Sequence, residues 1–526
     1  MTTHHTIARA LSRRLFLRHA GALSASGAAS APLALNMAAI GSAAAQSASD
    51  YKALVCIFLF GGNDSLNMIL PTDAATWANY TAVRNQAPDS IALMAPGTAP
   101  SGTTRGSPAY LGGVLPIVPA TAHAAPGGGT QTFALHPLMG SLQSMFNTDK
   151  RLAIVANVGP LVEPLTKTTY SNGKGRKPAS LFSHNDQQNT WMSFKPEGAT
   201  VGWGGRLGDL LASQNSRAIF TAISAAGNAV WLSGQTVQQY QVSTNGAIRM
   251  GSDANDRIYG SADVATAMRS IVTGTRGGHV FETDLAAVAA RSIDAETTLR
   301  SALKPASDPL FGTAPASGSY NANNDPKLQY DNPLTGAKAF NNLAQQLQVV
   351  ARMIDASSAA GVGARRQVFF VSLGGFDSHD NENRNNADLM ARLAHAMKYF
   401  DTTLAAMNAQ SKVTTFTASD FGRTFTSNGD GTDHGWGAHH FVMGGAVKGG
   451  DIYGAFPVLG TKNANNNNFD SSPDQIGNGS LLPTTSVDQL GATLAKWFGV
   501  SDGDALTVFP NLANFSASSR NLGFMS

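Results

Sequence analysis

Six short runs of apolar and β-branched residues constrain this chain more than any other feature. They are "YKALVCIFLF" from Tyr51, "RLAIVANVG" from Arg151, "AIFTAIS" from Ala218, "RQVFFVSL" from Arg366, "KVTTFTAS" from Lys412 and "HHFVMGGAV" from His439. Several are continuous rather than alternating, the pattern of central strands covered on both faces. Helical patterns lie between them. Phe340, Leu343, Leu347, Val350 and Ile354 form one apolar stripe, Leu389, Leu393, Met397 and Phe400 another, and "HVFETDLAAVAARSIDAETTLRSAL" reads as a long amphipathic helix. Strands alternating with helices predict an α/β fold, an α/β/α sandwich around a mostly parallel, doubly wound sheet. Stretches such as "APGTAPSGTTRGSPAYLGG", "SNGKGRKPAS" and "TKNANNNNFDSSPDQIGNGS" cannot bury enough apolar surface to pack alone, and read as loop insertions.

The first 45 residues stand outside that pattern. "SRRLFLRHAG" carries the arginine pair Arg13–Arg14, and the small-residue apolar stretch after it closes on Ala43-Ala44-Ala45, a signal-peptidase pattern. Gly, Ser and Pro interrupt the stretch, which argues against a membrane span of roughly 20 apolar residues. Residues 1–45 are therefore expected to be a twin-arginine signal peptide, read by the twin-arginine translocase, with residues 46–526 forming a single periplasmic or secreted domain. The formal charge of +3 includes Arg9, Arg13, Arg14 and Arg18 of the leader, so without those four the remainder is at −1. No sustained basic face remains to attract nucleic acid. Cys56 is the sole cysteine, which excludes an intrachain disulfide and a thiolate metal cluster; its apolar neighbours make it a buried strand residue.

In open α/β sheets, ligands gather beyond the carboxyl ends of strands. Four polar clusters fall there. "GGNDSLN" places Asp64 after the first run, "GGFDSHD" places Asp377 and His379 after another, and "TASDFGRT" places Asp420 and Arg423 after a third. "GTDHGWGAHH" adds Asp433, His434, His439 and His440. Each cluster has a structural reading too: turns, caps, or an Asp420–Arg423 pair. Together they suggest mixed N/O ligands for a divalent metal such as zinc, manganese or calcium. His439 and His440 point to opposite faces of a strand, so at most one is expected at the site.

The segments "FLFGGNDSLNMILP", "LHPLMGSL", "SHNDQQNTWMS", "GGFDSHDN", "SDFGRTFTSNGDGTDHGWGAHHFVMGGAVKGGDIYG" and "TTSVDQLGATLAKWFGVSDGDALTVFPNL" resemble the exported bacterial family known as domain of unknown function 1501. That family is in turn similar to the alkaline phosphatase and sulfatase superfamily. The resemblance implies an alkaline-phosphatase-like sandwich with a metal site at the sheet's carboxyl edge, with Asp64, Asp377, His379 and Asp420 as ligands. Phe421 stands where the superfamily has a histidine after the aspartate; His434 is then either the missing imidazole or the last histidine ligand. The superfamily's nucleophile sits at a helix start, where Ser183 precedes "HNDQQNTWM", with His184 or Asp186 to orient it or bind metal. A serine N-cap is the plain alternative. Arg423 is a candidate clamp for an anionic oxygen.

Two functions follow: an exported metal-dependent hydrolase of phosphate, sulfate or related anionic esters, small or polymeric, or a non-catalytic exported binding or assembly protein that keeps the fold. Export itself gives the first test. Replacing Arg13 and Arg14 by Lys should leave the precursor inside the cell, as read by fractionation; undiminished export contradicts the twin-arginine reading.

Overall fold

The computed structural model describes residues 50–249, 251, 253, 255–274, 277 and 279–526. Residues 1–45, the expected signal peptide with Arg13 and Arg14, lie outside the described residues. Ten strands, β1 (Lys52–Phe60), β2 (Leu152–Gly159), β3 (Ala222–Ser224), β4 (Tyr240–Ser243), β5 (Gly246–Ala247), β6 (Arg366–Gly374), β7 (Val413–Ser419), β8 (Ala438–Gly444), β9 (Ile452–Tyr453) and β10 (Thr485–Ser486), make one sheet. Its order is β5-β4-β3-β6-β1-β7-β8-β2-β9, with β10 also on β2. All six apolar runs contribute a strand. The pairs from β4 through β3, β6 and β1 to β7 are parallel, so the expected mixed α/β architecture with a mostly parallel central sheet is present.

The doubly wound pattern breaks at the edge hairpin β4–β5, which is antiparallel, and again inside the sheet. β8 is antiparallel to both β7 and β2. Between β7 and β8 the chain makes a small hairpin, Arg423–Ser427 against Thr432–His434, instead of a helix. A parallel neighbour requires a crossover of a dozen or more residues, usually helical; without one the returning strand comes back antiparallel.

The helices used below are α1 (Ala74–Arg84), α2 (Gly140–Asn147), α3 (His184–Ser193), α4 (Trp203–Leu211), α5 (Ala262–Thr273), α6 (Val280–Ala302), α7 (Asn342–Asp355), α8 (Glu382–Ala406) and α9 (Val487–Phe498). Phe340, read from the sequence as helical, lies in a short strand before α7; Asn341 caps α7 by accepting from the Leu343 and Ala344 amides. Alternate residues of β1 enter different cores. Ala53, Val55, Ile57 and Leu59 pack with side chains of α2, α7 and α8. Leu54, Cys56 and Phe58 pack with Trp191 of α3, Trp203 of α4 and Leu490 of α9. The sheet is thus covered on both faces, and each fully buried Val, Leu, Ile or Phe side chain contributes about 1.5–3 kcal/mol. On the second face Trp203 meets Trp231 edge-on at 5.0 Å and stacks on Phe416 at 5.6 Å.

Cys56 sits in that core at 1% exposure, and burial pushes its thiol well above the ordinary range. A water-soluble disulfide reagent should leave the native protein unlabelled and react fully in denaturant; rapid labelling of native protein would contradict the placement of β1.

Candidate metal centre

The centre is built where three parallel neighbours end together. Leu59 of β1 pairs with Leu373 of β6 and with Ser419 of β7. Beyond that line lie Gly61, Asp377 and Asp420. Gly61 has a φ of +115°, and a Cβ there would stand 2.3 Å from the Asp377 amide nitrogen; only glycine lets the β1 and β6 exits approach this closely. Gly61 in turn donates its N–H to Asp420 Oδ2 at 3.2 Å. Gly62 (φ +86°) leaves room for the Phe421 ring, which a Cβ would meet at 2.2 Å.

Three imidazoles converge on Asp377. His184, the first residue of α3, places Nε2 3.4 Å from Asp377 Oδ2. His379 Nε2 lies 3.1 Å and His434 Nε2 3.4 Å from Asp377 Oδ1, and the two imidazole nitrogens are 3.0 Å apart. The other nitrogen of each ring has an acceptor of its own. His184 Nδ1 bonds to Asp420 Oδ2 at 2.7 Å, His379 Nδ1 to Asp433 Oδ1 at 3.3 Å, and His434 Nδ1 to the Phe182 carbonyl at 2.7 Å. These acceptors draw the ring N–H to Nδ1 and leave the three Nε2 lone pairs facing one space, the tautomer in which outer carboxylates and carbonyls hold metal-ligating histidines. Donors about 2.0–2.1 Å from a tetrahedral zinc stand roughly 3.3–3.4 Å from one another, close to the spacing seen. His184 Nε2 is buried without a hydrogen-bond partner, and His184, Asp377 and His434 offer ligand atoms within 4.8 Å of one another.

Charge at the centre is unevenly shared. Burial pushes the Asp377 carboxyl up, but the Arg423 guanidinium, with help from His184 and His379, holds it below the ordinary carboxylate range. The hydrogen bond to Asp420 raises His184 against the opposing effect of burial; burial lowers His434. Arg423 is 2% exposed and its fork is committed. Nη1 donates to Asp377 Oδ1 at 2.6 Å and to the Gly61 carbonyl at 3.2 Å, Nη2 to the Thr432 carbonyl, and Nε to Thr432 Oγ1 at 3.2 Å. Since Arg423 and His434 pair in the hairpin, the same ion pair that neutralises Asp377 also delivers His434.

Asp377, His379, His434, Asp420 and Arg423 therefore come together, with Asp420 acting through the His184 ring. His184, weighed in the sequence only as a companion to Ser183, is a central donor; the signal was its place at the start of a helix beside two acidic strand ends. Ser183 occupies the N-cap position of α3, and its side chain makes no capping hydrogen bond there. Phe421, in the position expected for histidine, is a buried wedge, 4.8 Å from both the His184 and His434 rings. Neither His439 nor His440 reaches the centre. Both are buried and held down to about 3, His439 stacking on Phe456 and His440 edge-on to Trp191.

Asp64 leaves the same sheet edge but turns elsewhere. It is 3% exposed and takes both arms of Arg84 from α1, Nη1 to Oδ2 at 2.5 Å and Nη2 to Oδ1 at 3.0 Å. Burial raises the Asp64 carboxyl, yet Arg84 outweighs it and keeps Asp64 below the ordinary range. Its neighbour Glu382, fully buried, is pushed well above its ordinary range by burial and by the Asp64 charge. Glu382 accepts from Thr432 Oγ1 at 2.7 Å, which links this inner pair to Arg423. Neither Arg84 nor Glu382 carries a local signal, because their partners are distant in the chain.

The family model described as "Protein of unknown function (DUF1501)" matches residues 51–507, and the chain belongs to that family. A search of curated proteins found no match. A solved structure titled "Crystal structure of Ps i-CgsB in complex with k-i-k-neocarrahexaose" is similar at 8% identity and a TM-score of 0.31, over 90% of this chain and 77% of that one. A likeness at that level carries no weight for fold or chemistry.

The buried network makes a stability prediction. Arg84→Met leaves the Asp64 charge uncompensated and should cost about 3–5 kcal/mol in urea unfolding. Glu382→Gln replaces a carboxyl that burial and the Asp64 charge push toward its neutral form, and should cost about 1 kcal/mol or less. Equal losses in the two variants would contradict this assignment of charge.

Proposed function

We propose that this protein is an exported, divalent-metal-dependent hydrolase of phosphate, sulfate or related anionic esters, with an alkaline-phosphatase-like fold. The observation that carries it is the common orientation of the three imidazoles, each tied at Nδ1 so that Nε2 faces the Asp377 carboxylate. Metal donors at the carboxyl edge of a mostly parallel sheet support the fold comparison, and the twin-arginine leader supports export to the periplasm or beyond. His184, His379, His434 and Asp377 would hold the ion, and an imidazole-rich set favours zinc over manganese or calcium. Such an ion supplies Lewis acidity toward an ester oxygen and lowers the pKa of a bound water. Asp420 and Asp433 orient imidazoles, and Arg423 positions Asp377.

Ser183 stands at the N-cap of α3, a structural position, and water is the favoured nucleophile. Phe421 in place of the superfamily's histidine favours a second reading, a non-catalytic exported binding or assembly protein that keeps the ion.

Elemental analysis of protein matured by its own export pathway should find near-stoichiometric divalent metal. His184→Ala, Asp377→Ala and His434→Ala should each lose it and abolish turnover of aryl phosphates or sulfates. Asp420→Asn should weaken metal affinity by about 10–100-fold. Ser183→Ala should keep activity. Bound metal without hydrolysis of any phosphate mono-, di- or sulfate ester transfers the case to the binding reading, and absence of metal removes both.

A further inference from the structure

Far from the centre, α5 and α6 carry an unusual surface. Nine of the twelve large hydrophobic side chains exposed among the described residues fall between positions 248 and 288. The C-terminal half of α6 is anchored by Ala295 and Leu299 in the core beneath the sheet. Its N-terminal half faces outward, with Phe281, Leu285 and Val288 exposed by 75%, 70% and 49%. Spacings of four and three residues put these three on one stripe of the helix. Val264, Met268 and Ile271 of α5 are exposed as well, and an apolar groove of about 640 Å³ runs between the helices, floored by Ala286, Ala289 and Ile293. Apolar surface this concentrated marks an interaction site on a soluble protein.

Charges on the stripe choose the occupant. Asp284 and Arg291 lie beside it, seven residues and roughly 10.5 Å apart along the axis, too far to pair with each other. Within the described residues neither takes part in an ion pair. We propose that this chain forms a twofold dimer in which α6 packs antiparallel against α6 of a second copy, flanked by α5. A dyad beside Ala287 sets Leu285 against the partner's Val288 and brings Phe281 to the end of the partner's groove. The same operation lays Arg291 alongside the partner's Asp284, and the symmetry repeats the pair. An isologous interface requires this kind of self-complementarity, residue i meeting j and j meeting i. A lipid surface fits less well, because the exposed Asp284 stands beside the stripe, where anionic headgroups would repel it.

Sedimentation velocity of the exported protein should show a dimer at micromolar concentration. Leu285→Glu combined with Val288→Glu should give monomer with unchanged thermal midpoint and metal content. Asp284→Arg and Arg291→Asp should each weaken dimerisation by about tenfold or more, and the double swap should restore it. Three results overturn the proposal: a wild-type monomer at every concentration, a dimer indifferent to these substitutions, or a monomer that binds phosphatidylcholine vesicles through Leu285 and Val288. None depends on whether the chain hydrolyses an ester.

Discussion

Arg423 is the residue on which the rest of the centre depends. A guanidinium at 2% exposure is tolerable only with its donors matched, since the effective penalty for an uncompensated buried ion is several kcal/mol. Asp377 from the end of β6, the Gly61 carbonyl from the end of β1 and Thr432 from the hairpin meet that requirement together. Satisfying one buried cation therefore brings three separate chain segments to one point. The hairpin that supplies Thr432 also carries Asp433 and His434, so the electrostatic need of Arg423 and the placement of the imidazoles have one structural solution.

Behind this lies a second buried cation with a different task. Arg84 clamps Asp64 with two hydrogen bonds, and burial together with the Asp64 charge pushes the neighbouring Glu382 carboxyl up, toward its protonated form. Glu382 connects to the centre through Thr432. The division of labour is physical: carboxylates deep in the protein fix geometry, whereas Asp377 and His379, which are half open to solvent, remain available to an ion or ligand.

The separation extends to the surface. The α5–α6 hairpin shares no residue with the centre, and it contributes to the core mainly through one end of α6. The α5–α6 surface and the centre can therefore be altered independently of one another.

Much of the scaffold was legible in the sequence because strand and helix formation follow local periodicity. Continuous apolar runs gave the central strands, and acidic and imidazole residues just past them gave Asp377, His379, Asp420 and His434. The antiparallel direction of β8 was not legible, since it follows from a short hairpin, not a crossover helix, joining it to β7. Long-range pairing decided the remaining roles. Asp64 reads locally like Asp377, yet Arg84, twenty residues on, captures it, while His184 joins Asp420 across 236 positions. Sequence determines which side chains stand at a strand end; which of them face one another depends on the close approach of three strand exits at Gly61, a contact that exists only once the sheet has formed.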